Sequence, residues 1–134
     1  MTQTTIQIAR ALFENIEAGD PAGVAGLYAD DIEVWHNFSN TTQSKQENLQ
    51  TLTGLIGSVK TIRYEVKELL TLSDDRVLQR HDLHCETPGG ARFTIPACIF
   101  ITVRSGKITR IEEYLDSAQA NALRAATGRV AIES

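Results

Sequence analysis

Residues 91–104 constrain the chain most. Phe93, Ile95, Ala97, Ile99, Ile101 and Val103 recur at every second position, with Thr94, Pro96, Cys98 and Phe100 between them. In an extended chain, alternate side chains point to one face, so this stretch is a long strand with one apolar side. Pro96 has no N–H to give a ladder, and a bulge or irregular edge is expected there. Three more stretches share the period. Ile62, Tyr64 and Val66 alternate in a strand that runs on to Leu72, and residues 76–86 and 108–115 follow the same rule. Ser73-Asp74-Asp75, Thr87-Pro88-Gly89-Gly90 and Arg104-Ser105-Gly106-Lys107 separate them as turns. The second half is therefore a four-stranded meander.

The first half reads differently. Ile6, Ala9, Phe13 and Ile16 form one apolar stripe on a helix over 4–18 that ends near Gly19. Asp20-Pro21 is an N-cap followed by proline in the first turn, opening a short helix over 21–29 that carries Val24, Leu27 and Tyr28. Ile32–Phe38 reads as a short strand and Ser39–Gln43 as a loop. Ser44 and Glu47 have the spacing of a capping box. They open a helix over 45–57 that buries Leu49, Leu52 and Ile56 and stops at Gly57. Asp116-Ser117 starts a last helix, with Ala118–Ala126 in its body and Gly128 closing it. Val130–Ser134 reads as a loose tail.

Helices first and hairpin-linked strands after them predict an α+β fold with an antiparallel or mixed sheet. A long bent sheet wrapped around helices makes a cone whose interior can hold an apolar pocket. The 134 residues suit one domain spanning 1–134. Thirteen basic and 17 acidic residues are interspersed and no basic patch forms, which argues against a nucleic-acid partner. No apolar run spans a membrane, and Met1–Thr5 lacks the features of a secretory signal. Cys85 and Cys98 read as two buried free thiols of a cytoplasmic protein.

Within 76–86, Arg80, Asp82 and His84 share one face and Gln79, His81 and Leu83 the other. If the ionisable side faces solvent, this is an ordinary polar sheet face. If it faces a cavity, it is an active surface. Arg80 offers a forked donor that holds a carboxylate ionised. Asp116, at the end of the last strand, is the candidate second carboxylate. Together they would make an Asp–Arg–Asp set in which one carboxyl activates water and the other donates a proton. Asn37, beside Trp35 and His36, is a second candidate, because an amide donates and accepts at once. No dense metal-ligand motif and no nucleotide-binding glycine pattern is present, so neither metal nor cofactor is expected.

Leu27-Tyr28-Ala29-Asp30-Asp31-Ile32-Glu33-Val34, the Gly106-Lys107-Ile108-Thr109-Arg110 turn and Tyr114-Leu115-Asp116 resemble the nuclear-transport-factor-2-like cone over residues 6–125. SnoaL-type polyketide cyclases, ketosteroid isomerases, scytalone dehydratases and limonene epoxide hydrolases share that cone. At the polar positions the chain looks most like limonene epoxide hydrolase. That family's Arg-x-Asp falls on Arg80-His81-Asp82, its second aspartate on Asp116, and its Tyr-x-Asn on Trp35-His36-Asn37. The resemblance implies that Asp116 and Asn37 activate water, Asp82 protonates an epoxide oxygen and Arg80 bridges the carboxylates. Trp35 departs from the pattern, having no hydroxyl. An ungapped register puts His36 in the asparagine's place, where it would act as a base.

Against ketosteroid isomerase, a worked example of pKa tuning in which an aspartate base works with a tyrosine and a protonated aspartic acid, the matching positions are His36, Leu12 and Ile99. Two of those three polar groups are missing. A SnoaL-type cyclase needs one base, for which Asp82, Asp116 or His36 would serve. The scytalone dehydratase pattern fits His36 and His84. The implied function is a cofactor-free enzyme acting on a small apolar, polyketide-like or terpenoid-like substrate. Epoxide hydrolysis, cyclisation or isomerisation is the implied reaction, and a non-catalytic binding module of the same fold is the alternative. Phe13, Tyr28, Trp35, His84 and Phe100 are the expected walls of the pocket, and a homodimer is the expected assembly.

Overall fold

The computed structural model describes residues 4–128, so the tail over Val130–Ser134 lies outside the described residues. The elements are α1 (Thr5–Glu17), α2 (Pro21–Leu27), β1 (Tyr28–His36), β2 (Thr42–Gln43), α3 (Lys45–Ser58), β3 (Thr61–Ser73), β4 (Arg76–Glu86), β5 (Arg92–Arg104), β6 (Lys107–Leu115) and α4 (Ser117–Ala126). The strands form one open sheet in the order β2-β1-β6-β5-β4-β3. All neighbours are antiparallel except β1 and β6, which run parallel, so the sheet is mixed.

Helices α1, α3 and α4 lie against one face of this sheet. Helix α1 presents Ile8, Ala9, Leu12, Phe13 and Ile16, all buried. Each large side chain of that stripe contributes roughly 1.5–3 kcal/mol by leaving water. Thr4 and Gln7 close a capping box, and Ser44 and Glu47 close the one expected on α3. The Asp20 carboxylate accepts the Gly23 N–H at 3.0 Å and Pro21 opens α2. That helix ends at Leu27 rather than 29. Tyr28 adopts extended backbone, and its buried hydroxyl donates to Asn48 Oδ1 at 2.7 Å. A tertiary anchor thus cuts short a helix that local spacing would continue.

The inward face of β5 is the one the alternation selects: Ile95, Ala97, Ile99, Ile101 and Val103 are buried. The bulge expected at Pro96 is absent there. Pro96 stays in register opposite Asp82, and the irregularity lies at Thr102/Val103. In a ladder a residue's N–H and C=O point the same way. The Pro96 carbonyl accepts the Asp116 N–H at 3.1 Å, just past the last paired residue of β6. The missing N–H therefore faces the end of the neighbouring strand, where no ladder bond is lost. Ser105 and Gly106, with φ of 52° and 77°, make the tight turn between β5 and β6, a geometry that suits the twist of a hairpin.

Two further expectations need correction. Leu49, Leu52 and Ile56 of α3 are only half-buried, and Leu52 borders a cavity rather than solid core. Cys85 is buried but Cys98 is half-buried on the opposite side of the sheet, and the two form no disulfide. None of the described helices is long and apolar enough to cross a membrane.

Candidate functional site

A cavity of about 130 Å³ lies between the inner sheet face and α1, α3 and α4. Leu12, Phe13, Val34, Leu52, Ile99 and Ile111 supply apolar wall. The polar groups that reach it are few. They come from β1, β3, β4 and β6, from Asn48 and Thr51 of α3 and from Arg124 of α4.

The parallel register of β1 and β6 sets His36 opposite Glu113. Ile32, Val34 and His36 alternate inward on β1, as do Ile111, Glu113 and Leu115 on β6. His36 Nε2 lies 3.0 Å from Glu113 Oε1, with 13% and 21% of the two side chains exposed. Burial pushes the Glu113 carboxyl upward. The hydrogen bond from His36 and the charges of His36 and His81 outweigh that and hold it below the usual value. Phe38 lies against the His36 ring, centroids 5.1 Å apart.

His81 enters from β4 and is 1% exposed. Tyr64 and Phe13 meet its ring edge to face, with centroids at 4.8 and 5.4 Å. Its Nδ1 lies 2.9 Å from the Gln79 amide nitrogen. Burial lowers the His81 pKa, opposed by the charges of Glu113 and Asp82. Burial likewise raises the phenol pKa of Tyr64 and of Tyr28, so both hydroxyls stay protonated. The Tyr28 hydroxyl is already committed to Asn48. The Asn48 amide donates to Gln43 Oε1 at 3.0 Å, and Gln43 donates to Thr51 Oγ1 at 3.1 Å.

Of the residues expected at the site, His36, Phe13 and Tyr28 line the cavity. The Asp–Arg–Asp convergence does not occur. Arg80, Asp82 and His84 point to the outer face, because Val77, Gln79, His81 and Cys85 take the inward positions under the helices. Arg80 Nε pairs with Glu68 at 3.0 Å and Asp82 faces Lys67 at 3.8 Å. His84 sits between Glu65 Oε1 at 2.9 Å and Thr94 Oγ1 at 3.0 Å. Asp116 caps α4, its Oδ1 accepting the Ala118 and Gln119 N–H groups. Asn37 ties the end of β1 to β6: its Oδ1 accepts the Leu115 N–H at 3.1 Å. Trp35 and Phe100 are also on the outer side. Trp35 donates to Asn40 at 3.2 Å and packs on Tyr114, while the Arg76 guanidinium lies over Phe100 at 4.6 Å.

Glu113, His81 and Tyr64 are the site residues that sequence reasoning passed over. Each carried a signal. Glu113 follows Ile111 by two, Tyr64 follows Ile62 by two, and His81 shares its alternation with Val77 and Cys85. Among the described residues, Glu65, Asp82 and His84 bring potential metal-ligating atoms within 4.8 Å of one another on the outer face. Lys67 already supplies positive charge there, 2.8 Å from Glu65.

The arrangement can accept a proton, hold the resulting charge beside a carboxylate and donate one hydrogen bond in apolar surroundings. Residues 9–111 match the model of the SnoaL-like domain, while no curated protein sequence matches the chain. The structure is similar to a protein from Shewanella denitrificans OS-217 described as a SnoaL-like polyketide cyclase. The TM-score is 0.77 at 12% identity over 91% of this chain and 97% of that one. A protein from Catenulispora acidiphila DSM 44928 with a ketosteroid isomerase-like fold, in complex with trimethylamine, aligns with a TM-score of 0.74. It is 15% identical, over 98% of this chain and 97% of that one. TerC co-crystallised with polyporic acid gives 0.73 at 20% identity over 89% and 96%. At such identities likeness of structure shows the fold, and this fold carries many reactions. The family rests on the matched segment itself: with most of its length covered by that one model, the chain belongs to the SnoaL-like domain family.

Proposed function

We propose that this protein is a cofactor-free enzyme that moves a proton on a small, largely apolar carbonyl compound, leading to ring closure or isomerisation. The observation that carries this reading is the His36–Glu113 pair at 3.0 Å on the wall of a largely apolar cavity. Removing such a pair from water costs several kcal/mol per ion, so its presence is poorly explained by stability alone. With Nε2–H donated to the carboxylate, the lone pair of the neutral His36 ring is on Nδ1. A C–H proton beside a carbonyl passes to that nitrogen, and the electron pair moves into the enolate. Glu113 stabilises the imidazolium that forms. In a ring closure the enolate carbon attacks a second carbonyl and the imidazolium proton goes to the new alkoxide. In an isomerisation the same proton returns to a different carbon.

The water-addition arrangement is not proposed, since Arg80 and Asp82 lie outside the cavity. The test is exchange with solvent. A panel of small ketones and diketones is incubated with the protein in D₂O and the loss of C–H signals beside the carbonyl is followed by NMR. Exchange that disappears in His36→Gln and Glu113→Gln supports the reading. Binding without exchange across the panel sinks it and favours a ligand carrier of the same fold. Two subsidiary readings belong with it. Exposed Leu70 and Tyr114 support pairing of two copies through the outer face. Cys85 and Cys98, on opposite faces of the sheet and not joined in a disulfide, fit a reducing, cytoplasmic setting.

A further inference from the structure

His81 Nε2 is the one buried side-chain nitrogen or oxygen among the described residues that has no hydrogen-bond partner. Its state follows from its neighbour. The Gln79 amide nitrogen can only donate, so His81 Nδ1 accepts, and the proton of the neutral ring resides on Nε2. Burial favours that neutral form; Phe13, Tyr64 and Gln79 pack against the ring, and the Glu113 and Asp82 carboxylates act on it only through their charge, Asp82 from the opposite face of the sheet. The ring cannot swing to seek another partner, because Phe13 and Tyr64 hold it edge to face and the side chain is 1% exposed. A donor left unmatched in such a place is costly, and native structures keep few of them. The His81 side chain is part of the cavity wall.

We infer that His81 Nε2–H is a ligand-binding donor that selects an acceptor oxygen, a carbonyl or phenolate, on a molecule whose buried part is a single ring. Gln79 is the positioning residue that fixes the tautomer. The size follows from the cavity: about 130 Å³ is close to the roughly 150 Å³ of an engineered apolar cavity that admits benzene. The sign of the hydrogen bond follows from Gln79, since a ring held in the other tautomer would present a lone pair and prefer a hydroxyl or ammonium. The inference deepens the proposed proton-transfer reading by naming the substrate's chemical class: the oxygen held by His81 is the one that gains charge as His36 takes the proton.

The test uses a matched pair of probes, cyclohex-2-enone and cyclohexene, titrated against the full chain and followed by ¹⁵N–¹H NMR of the histidine rings. In the wild type the His81 Nε2–H signal moves on addition of the enone, and the enone binds about tenfold more tightly than the hydrocarbon. In His81→Phe, which keeps an aromatic ring against Phe13 and Tyr64, that ratio falls to about one. In Gln79→Leu the ¹⁵N shifts report a mixture of tautomers and the preference shrinks, an effect a purely structural glutamine would not produce. Equal binding of the two probes by the wild type overturns the inference, as does a His81 Nε2–H signal that stays fixed at saturating enone. These wild-type readouts stand even if His81→Phe fails to fold. Enone preference without C–H exchange on the panel refutes the proton-transfer reading alone, whereas exchange without the preference refutes this one.

Discussion

Glu113 and His36 occupy paired positions on two parallel strands, and their side chains meet at 3.0 Å on the cavity side of the sheet. Neither residue is special in its own segment. The parallel register makes them a pair, and the apolar wall around them makes the pair consequential. In His36→Gln the charge and hydrogen bond that hold the Glu113 carboxyl down are gone, while burial still pushes it up. Its pKa therefore rises above that in the wild type, measurable by ¹³C NMR of the labelled carboxyl. Proton exchange on a responsive ketone falls by about 10²–10⁴-fold in the same variant, the usual range for loss of a general base.

The buried imidazole gives stability a pH dependence of definite sign. The folded His81 pKa lies below its ordinary value of 6.5, so on acidification the unfolded chain takes the proton first. This contribution is complete above about pH 6.5 and is lost as pH falls below it, with a slope of at most about 1.4 kcal/mol per pH unit. Glu113 is depressed from 4.5 and its contribution disappears only at lower pH, as the pH falls through its folded value. Urea unfolding at a series of pH values, wild type against His81→Phe, should show the variant losing less stability between about pH 6.5 and 5.

Asp116 is a helix cap, and its variants should behave accordingly. Asp116→Ala removes the acceptor for the Ala118 and Gln119 N–H groups and should cost about 1 kcal/mol in urea unfolding. Asp116→Ser should recover most of that loss. Exchange activity should follow the folded fraction in both. A selective loss of activity in well-folded Asp116→Ser would show that the residue has a chemical role after all.

The two faces of the sheet should respond differently to truncation. Ile101, fully buried beneath the helices, should cost about 2–5 kcal/mol as Ile101→Ala. Leu70, 46% exposed on the outer face, should cost under about 0.5 kcal/mol in a monomer. If two copies pair through that face, Leu70→Lys combined with Tyr114→Lys halves the mass seen by light scattering and leaves the unfolding midpoint independent of concentration.

Much of the scaffold was legible because it is local. Capping chemistry at Asp20 and Ser44, and the stripe on α1, located helices where they occur. Alternation located β3 to β6 and the buried side of β5. The two-residue strand β2 was missed because Thr42 and Gln43 have no pattern of their own and exist as a strand only through pairing with Val34 and Trp35. The parallel contact between β1 and β6 joins segments more than 70 residues apart, and nothing in either segment specifies it.

The sequence by itself determined which residues share a face. Arg80, Asp82 and His84 lie together, and so do Gln79, His81 and Leu83. Only the tertiary structure decided which of those faces is the inside. Alternation is symmetric: it divides a strand into two sets of side chains and does not say which set the helices will cover. On β5 the apolar content settles the choice, whereas on β4 both sets mix polar and apolar groups, so the choice is made by the docking of the whole sheet onto α1, α3 and α4. The same docking turned the arginine and aspartate outward and carried His81 into the cavity that His36 and Glu113 share.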